Sequence, residues 1–261
     1  MIPIVTERRD NRVCTSNRRA ERRIEVTVME VRVGTSGWQY KEWRGAFYPE
    51  GMKEAAMLAY YAGQLTTVEV NYTFRRVPAR TTFENWKSQV PETFQFVLKA
   101  PQQITHFKRL HDAGPVVERL VEAAEPLGTQ LGPLLVQLPP NMKIDVERLE
   151  EFLQTIPPSV RATLEFRHES WFTDAVFETL RAHNAALCIA ETDEEPARRE
   201  RTADWGYLRL RRAEYTDDEV RGWLAWVRAQ AWDRAEVFFK HENEARGPRF
   251  ATRMAQLIRE G

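Results

Sequence analysis

Hydrophobic and polar positions alternate along a short stretch in the middle of the chain. Leu164 and Phe166 occupy its alternate apolar positions. Glu165 and Arg167 occupy the charged positions, so a strand here would place the two charges on one face. If helices cover the apolar face, the charges point into the molecule, where they persist only when paired or used. The pattern predicts either a buried structural ion pair or a functional site.

Similar strand patterns alternate with helical patterns along the rest of the chain. The strands are predicted at 31–36, 67–71, 94–101, 134–138, 162–167, 185–190, 205–211 and 235–240. The helices are predicted at 53–65, 79–90, 115–125, 146–156, 172–183, 217–228 and 249–259. About eight such alternations match a closed (β/α)₈ barrel. A doubly wound open sheet is the alternative, but its usual Gly-rich phosphate turn is missing from the sequence. We therefore predict an α/β fold with a single TIM barrel over residues 31–261.

Residues 1–30 differ from the rest of the chain because they lack sustained periodicity and are rich in arginine. We predict a flexible extension that does not belong to the barrel. Two other interpretations stay open. The segment could be a basic arm that contacts nucleic acid, or translation could begin at Met29, directly before the first predicted strand.

Composition and charge narrow the class of protein. The chain has 261 residues with 38 Lys and Arg against 38 Asp and Glu, so net charge indicates neither nucleic acid nor an anionic membrane as a partner. Cys14 and Cys188 lie far apart, which disfavours a disulfide scaffold or a structural zinc site. The sequence contains no apolar run of about 18 residues. We expect a soluble cytoplasmic protein with no membrane partner, and the pattern favours no particular oligomeric state.

Polar and aromatic side chains follow several of the predicted strands. In a TIM barrel the carboxyl ends of the strands meet at one mouth, which carries the active site. Arginine and lysine there could hold a phosphate or carboxylate, and a carboxylate with a tuned pKa could transfer protons. The strand-end residues are Trp38, Tyr40, Glu69, Asn71, Lys99, Gln137, Glu165, Arg167, His168, Glu191, Arg209, Arg211, Lys240 and His241.

These residues predict an enzyme that acts on a phosphorylated or sugar-containing small molecule. The enzyme would be a hydrolase, an isomerase or a lyase. The predicted catalytic residues are Glu165, His168 and Glu69. Glu165 would provide acid or base chemistry, His168 would carry protons, and Glu69 with Asn71 would orient the substrate. The predicted ligand-binding residues are Trp38, Tyr40, Asn71, Lys99, Gln137, Arg167 and Arg209.

In a second version of the enzyme hypothesis, the protein uses a divalent metal. Such a metal needs several oxygen or imidazole ligands that converge on one point. The sequence has no HExxH signature. The residues that could in principle supply ligands are Glu69, Glu165, His168, Glu191 and His241.

Two other classes of function remain open. One is a nuclease-like barrel that binds nucleic acid or a nucleotide, with arginines on phosphates and Trp38, Tyr40 and Trp43 on bases. The other is a structural or partner-binding barrel whose central charges form a satisfied ion-pair network. Steep dependence of binding on salt would separate the first from the small-molecule hypothesis.

Several motifs resemble those of one protein family when they are taken together and in order. They are GTSGWQY at 34–40, VEVNYTF at 68–74, GPLLVQLPP at 132–140, EFRH at 165–168 and YLRL at 207–210. In these motifs the chain resembles the YecE-like proteins, known as domain of unknown function 72, from about residue 31 to the C-terminus. The resemblance implies a TIM barrel and no assigned reaction. Arg211-Arg212 and the residues at 240–243 depart from the family's pattern, so no role is carried over there.

Overall fold

The computed structural model describes residues 29–240 and 243–260. The predicted extension up to residue 28 and His241 lie outside these residues. Each of the eight strands pairs in parallel with the next, and the last returns to the first, which closes the barrel. The predicted TIM barrel is therefore confirmed. The strands are β1 Glu30–Ser36, β2 Thr67–Val70, β3 Gln95–Lys99, β4 Leu131–Gln137, β5 Ala162–Glu165, β6 Ala186–Glu191, β7 Trp205–Leu210 and β8 Arg234–Phe239.

Helices connect the strands and cover the outside of the barrel. They are α1 Glu54–Ala62, α2 Tyr72–Arg75, α3 Arg80–Lys87, α4 Gly114–Ala124, α5 Val146–Gln154, α6 Asp174–Ala182, α7 Asp217–Arg228 and α8 Arg246–Glu260. All but α2 follow the sequence prediction to within a few residues. The sequence did not predict α2, because a single helical turn shows no periodicity. None of the helices in the described ranges is long and apolar enough to cross a membrane.

The helix starts follow from local sequence. Thr216 caps α7 and forms a capping box with Glu219, since each side chain binds the other residue's backbone N–H. Asp145 accepts a hydrogen bond from the backbone of Arg148 at the start of α5. These caps satisfy N–H groups that have no partner inside the helix. They fix where the connections leave the barrel and enter the helices.

Strand alternation divides the core into two apolar regions. Outward-facing side chains such as Leu164 and Leu208 pack against the helices. Inward-facing side chains fill the barrel itself, so the barrel is a packed core and not a pore. The inner cluster is Val97, Leu135, Ala186, Cys188, Trp205, Tyr207 and Phe238.

The amino ends of the strands form the floor of the barrel, where Glu236 is completely buried. Glu236 pairs in register with Arg32 on β1. Neither of its carboxylate oxygens has a hydrogen-bond partner among the described residues. Burial raises the pKa of Glu236 to about 7, although Arg32, Arg161 and Arg234 act in the opposite direction. Ionisation of this side chain therefore opposes folding at neutral pH.

We predict that Glu236→Gln stabilises the protein in a pH-dependent way. The folded state binds the Glu236 proton more tightly than the unfolded state, so stability falls as pH rises from about 4.5 to about 7. At pH 8 the variant should exceed the wild type by about 3 kcal/mol in the free energy of unfolding. At pH 4.5 the two proteins should be nearly equal. Urea unfolding at both pH values measures this difference.

The exposed Glu151→Gln is the matched control and should change stability by less than about 0.5 kcal/mol at either pH. Equal destabilisation by Glu236→Gln at both pH values would contradict the prediction, because it would mean that the carboxylate is paired.

Candidate functional site

The centre of the mouth is the guanidinium of Arg209 on β7, which lies between two buried carboxylates. Its Nη2 donates to Oε1 of Glu69 on β2 at 2.8 Å, and its Nη1 donates to Oε2 of Glu165 on β5. Tyr207, two residues earlier on the same face of β7, donates its hydroxyl to the other oxygen of Glu69 at 2.7 Å. All four side chains are almost completely buried. The network therefore joins three strands across the barrel interior.

Glu165 has further partners that keep it ionised. Register pairs it with Gln137 on β4, whose Nε2 donates to Oε2 at 2.9 Å. Arg211 places Nη2 3.2 Å from Oε1. Burial alone would raise the pKa of Glu165, but Arg209, Arg211 and the hydrogen bonds together lower it to about 2. A carboxylate in this state holds charge and orients neighbours. It is poorly suited to donate a proton at neutral pH, which disfavours the acid role predicted from the sequence.

Lys99 at the end of β3 is the titratable group whose pKa lies nearest to neutral pH in this network. Its Nζ donates to Oε1 of Gln137 at 2.8 Å and lies 4.4 Å from the centre of the Phe74 ring. Burial, together with the charge of Arg209, lowers the pKa of Lys99 to about 8. A substantial fraction of the amine is therefore neutral near pH 7.5. A neutral amine can accept a proton or attack a carbonyl.

A cavity of about 780 Å³ opens above the ends of β5 and β6. Glu165 lies in its lining, and Phe166 and Phe172 provide apolar surface. Three arginines and three further glutamates also line it, so the cavity is polar and of mixed charge. This composition suits a ligand that carries both an anionic group and hydroxyls. The charged lining residues besides Glu165 are Arg167, Arg198, Arg211, Glu169, Glu194 and Glu195.

The side of the mouth between β3 and β5 is cationic. The pKa of His106 is lowered by burial and by the nearby charges of Lys99, Arg167 and Arg109. Lys240, at the end of β8, also acts on Lys99. Arg167 is exposed and forms no ion pair with any residue in the described ranges. An anionic group is therefore favoured on this side.

The aromatic loop after β1 packs into the fold instead of lining the cavity. Trp38 is only 5% exposed and meets Trp86 edge to face. Trp43 is also buried, and Tyr40 donates its hydroxyl to the backbone oxygen of Ser36 at 2.7 Å. The burial of Trp38 does not support the ligand-stacking role predicted for it, because a ring must be exposed to stack on a ligand, whereas Tyr40 is half-buried.

His168 and Asn71 form hydrogen bonds that hold neighbouring loops and turns in place. The Nδ1 atom of His168 accepts from the backbone N–H of Ser170 and lies 2.9 Å from its hydroxyl oxygen. That hydroxyl also accepts from the backbone N–H of Ile144, so His168 helps to anchor two loops. Asn71 precedes α2, and its backbone oxygen accepts from Phe74. These contacts add no support for a proton-carrying His168.

The described residues among the possible metal ligands, Glu69, Glu165, His168 and Glu191, do not converge on one point. Glu69 and Glu165 both bind the Arg209 guanidinium. Glu191 faces outward, where its carboxylate accepts from Tyr215 at 2.8 Å and from Trp223 at 3.2 Å. Over the described residues, 29–240 and 243–260, no three His, Cys, Asp or Glu side chains gather as a metal site would require. The described residues therefore add no support for a metal.

Several residues of the site were missing from the sequence prediction, and Tyr207 and Arg198 are two of them. Tyr207 shares the inward face of β7 with Arg209, so strand parity could have identified it. Arg198 lies in the long connection between β6 and β7, and nothing in the local pattern ties that connection to the mouth. Only the three-dimensional path of the loop brings Arg198 to the cavity.

We predict that Arg209→Met lowers the free energy of unfolding by about 3–5 kcal/mol, because it leaves the buried Glu69 without its counter-charge and the buried Glu165 with Arg211 alone. Urea unfolding at pH 7 measures this loss. The exposed Arg167→Ala is the control and should change stability by no more than about 0.5 kcal/mol. A loss below about 1 kcal/mol for Arg209→Met would show that the network contributes little to the fold.

Comparisons with solved structures agree with this barrel. A DUF72 family protein of Thermotoga maritima MSB8 is 26% identical and superimposes with a TM-score of 0.79, covering 88% of this chain and 99% of that protein. A DUF72 family protein of Enterococcus faecalis V583 is 17% identical, with a TM-score of 0.70 and coverage of 88% and 98%. The second likeness concerns the fold alone.

Sequence comparisons lead to the same family. The UPF0759 protein YunF of Bacillus subtilis (strain 168) is 27% identical over 173 residues, which span 63% of this chain and 60% of YunF. The family model described as "Protein of unknown function DUF72" matches residues 32–261. This match confirms the resemblance seen in the motifs, and the chain belongs to the DUF72 family.

Proposed function

We propose that this protein is an enzyme that acts on a phosphorylated, sugar-sized small molecule at the mouth of the barrel. The observation that carries the proposal is the position of Lys99. Its amine, with a pKa of about 8, is linked through Gln137 to Glu165 in the lining of the cavity. A proton-transfer group with a pKa near the working pH is what acid–base catalysis requires.

The charges of the mouth support binding of a substrate with two kinds of group. The phosphate would lie on the cationic side, where Arg167 is free of a carboxylate partner among the described residues and Lys99 is close to His106. Hydroxyls would bind the carboxylates of Glu169, Glu194 and Glu195. Arginine contributes planar paired hydrogen bonds to phosphate, and the carboxylates accept hydrogen bonds from hydroxyls.

Lys99 would act as the base or acid, and the central network would hold it in place. Gln137 accepts from Lys99 and donates to Glu165, so the orientation of its amide is fixed at both ends. Arg209 contributes to the lowered pKa of Lys99 and pairs with Glu165 as well. This assignment favours an isomerase or lyase that moves a proton next to a carbonyl. Glu69 and Glu165 are positioning residues in this scheme.

The nucleic-acid alternative has less support. It relied on stacking of bases on Trp38, Tyr40 and Trp43, and the two tryptophans are buried in the core. The net charge of zero also gives no general attraction for a polyanion.

We predict that competitive acetylation of Lys99 has its midpoint near pH 8, since only the neutral amine reacts. An ordinary lysine amine has a midpoint of about 10.4. Mass spectrometry of peptides after labelling between pH 6 and 11 measures the midpoint for Lys99, and labelling of the exposed Lys53 is followed in the same samples. A midpoint near 10 for Lys99 would remove it as an acid or base.

We also predict that a panel of sugar phosphates contains ligands that raise the melting temperature of the full chain, because a ligand that binds only the folded state stabilises it. Arg167→Ala should weaken binding about tenfold or more by removing a charged hydrogen-bonding partner. The exposed Arg259→Ala on α8 is the matched control and should leave binding unchanged. If no sugar phosphate shifts the melting temperature, or if Arg167→Ala binds as well as the wild type, the proposed substrate class is wrong.

A further inference from the structure

A second cavity, of about 770 Å³, lies beside the mouth, between the connections that follow β2 and β3. It shares no lining residue with the cavity above β5 and β6. Four arginines line it, and none of its lining residues in the described ranges is acidic. Two glutamines and one phenylalanine complete its polar and aromatic surface. These residues are Arg75, Arg76, Arg80, Arg119, Gln102, Gln103 and Phe107.

Three of the four arginines form no ion pair with a carboxylate of the described residues. Arg80 pairs with Glu84 and Glu125 just outside the cavity. Arg76 donates to the Tyr72 hydroxyl at 2.7 Å, and Arg119 donates to the side-chain oxygen of Gln103 at 3.0 Å.

For Arg75, Arg76 and Arg119, the described residues provide no carboxylate partner. Three guanidiniums without counter-ions therefore border one concave surface. Such a surface favours an anion with several oxygen acceptors.

An exposed aromatic ring borders the same cavity. Phe107 is 74% exposed, the highest value among the exposed large hydrophobic residues of the described ranges. It lies in the short helical turn Gln103–Phe107, so the backbone fixes its position beside the arginines. An exposed ring beside a cationic surface suits a ligand that has a flat aromatic part attached to an anionic part.

We propose that this cavity, which we name the arginine cavity, binds a nucleoside di- or triphosphate. The phosphates contact Arg75, Arg76 and Arg119, and the base stacks on Phe107. The volume lies within the range of small-molecule sites in proteins. The N-terminus of α3, which begins at Arg80 and has no side-chain cap, adds N–H groups that favour negative charge. The site is independent of the proposed catalytic mouth.

A single nucleotide fits the observations better than a nucleic-acid strand. The carboxylates of Glu84 and Glu125 pair with Arg80 next to the cavity, so the cationic surface is confined. The chain as a whole has no net positive charge, which a protein that follows a long phosphate backbone usually has. Three unbalanced arginines match the charge of one di- or triphosphate.

Isothermal titration calorimetry of the full chain with metal-free ATP, sodium triphosphate and adenosine tests the proposal. ATP should bind, triphosphate should bind about tenfold more weakly, and adenosine should bind at least about a hundredfold more weakly. Arg75→Ala combined with Arg119→Ala should weaken ATP about a hundredfold, because two charged contacts are lost. Phe107→Ala should weaken ATP about tenfold and leave triphosphate unchanged.

The replaced side chains are exposed, so the variants should fold, and their melting temperatures check this. Arg259→Ala on α8 and Arg167→Ala at the mouth are matched controls and should bind ATP like the wild type. No binding of ATP overturns the proposal, as does loss of ATP binding in Arg167→Ala. Equal affinity for ATP and triphosphate overturns the nucleoside part. Tenfold tighter binding of a twelve-residue oligothymidylate than of ATP assigns the cavity to nucleic acid instead.

Discussion

The guanidinium of Arg209 is the interaction on which the mouth of this barrel depends. Isolated ions are costly inside a protein, and a buried pair offsets that cost only when its geometry is good. Here one guanidinium binds carboxylates from β2 and β5, and Tyr207 and Gln137 bind the same carboxylates. Removing any member would leave another charge or dipole unpaired. The network therefore fixes the relative positions of the strand ends that carry the candidate site.

The same network distributes chemical roles within the mouth. Arg209 and Arg211 hold the pKa of Glu165 near 2, so this carboxylate stays charged at any physiological pH. Arg209 also helps to lower the pKa of Lys99 to about 8, so the amine exchanges protons near neutral pH. Arg209 thus contributes both to the ionised state of Glu165 and to the lowered pKa of Lys99. This division is typical of sites in which neighbouring charges move two pKa values apart.

The sequence predicted the fold well because the barrel depends on local periodicity, which Leu164, Phe166 and their counterparts on other strands display. Strand parity also placed Glu165 inside the molecule, and the end of the seventh predicted strand placed Arg209 at the mouth. It could not assign their roles, since the pKa of Glu165 depends on distances between strands that are far apart in the chain. The burial of Trp38 could not be predicted, because an aromatic loop has the same sequence whether it packs inward or binds a ligand. Arg198 was missed because a loop's path is not encoded in a short pattern.

Two buried glutamates at opposite ends of the barrel have opposite pKa shifts, because their partners differ. Glu236 on the floor has three arginines nearby, yet neither of its oxygens is hydrogen-bonded among the described residues, and its pKa rises to about 7. Glu165 at the mouth is equally buried but accepts hydrogen bonds from Arg209 and Gln137, and its pKa falls to about 2. At Glu236 the charges of the nearby arginines do not offset burial, whereas at Glu165 the charges of Arg209 and Arg211 and the hydrogen bonds together do. The mouth combines such hydrogen-bonded charges with an open cavity, which is why the proposed chemistry is placed at that end.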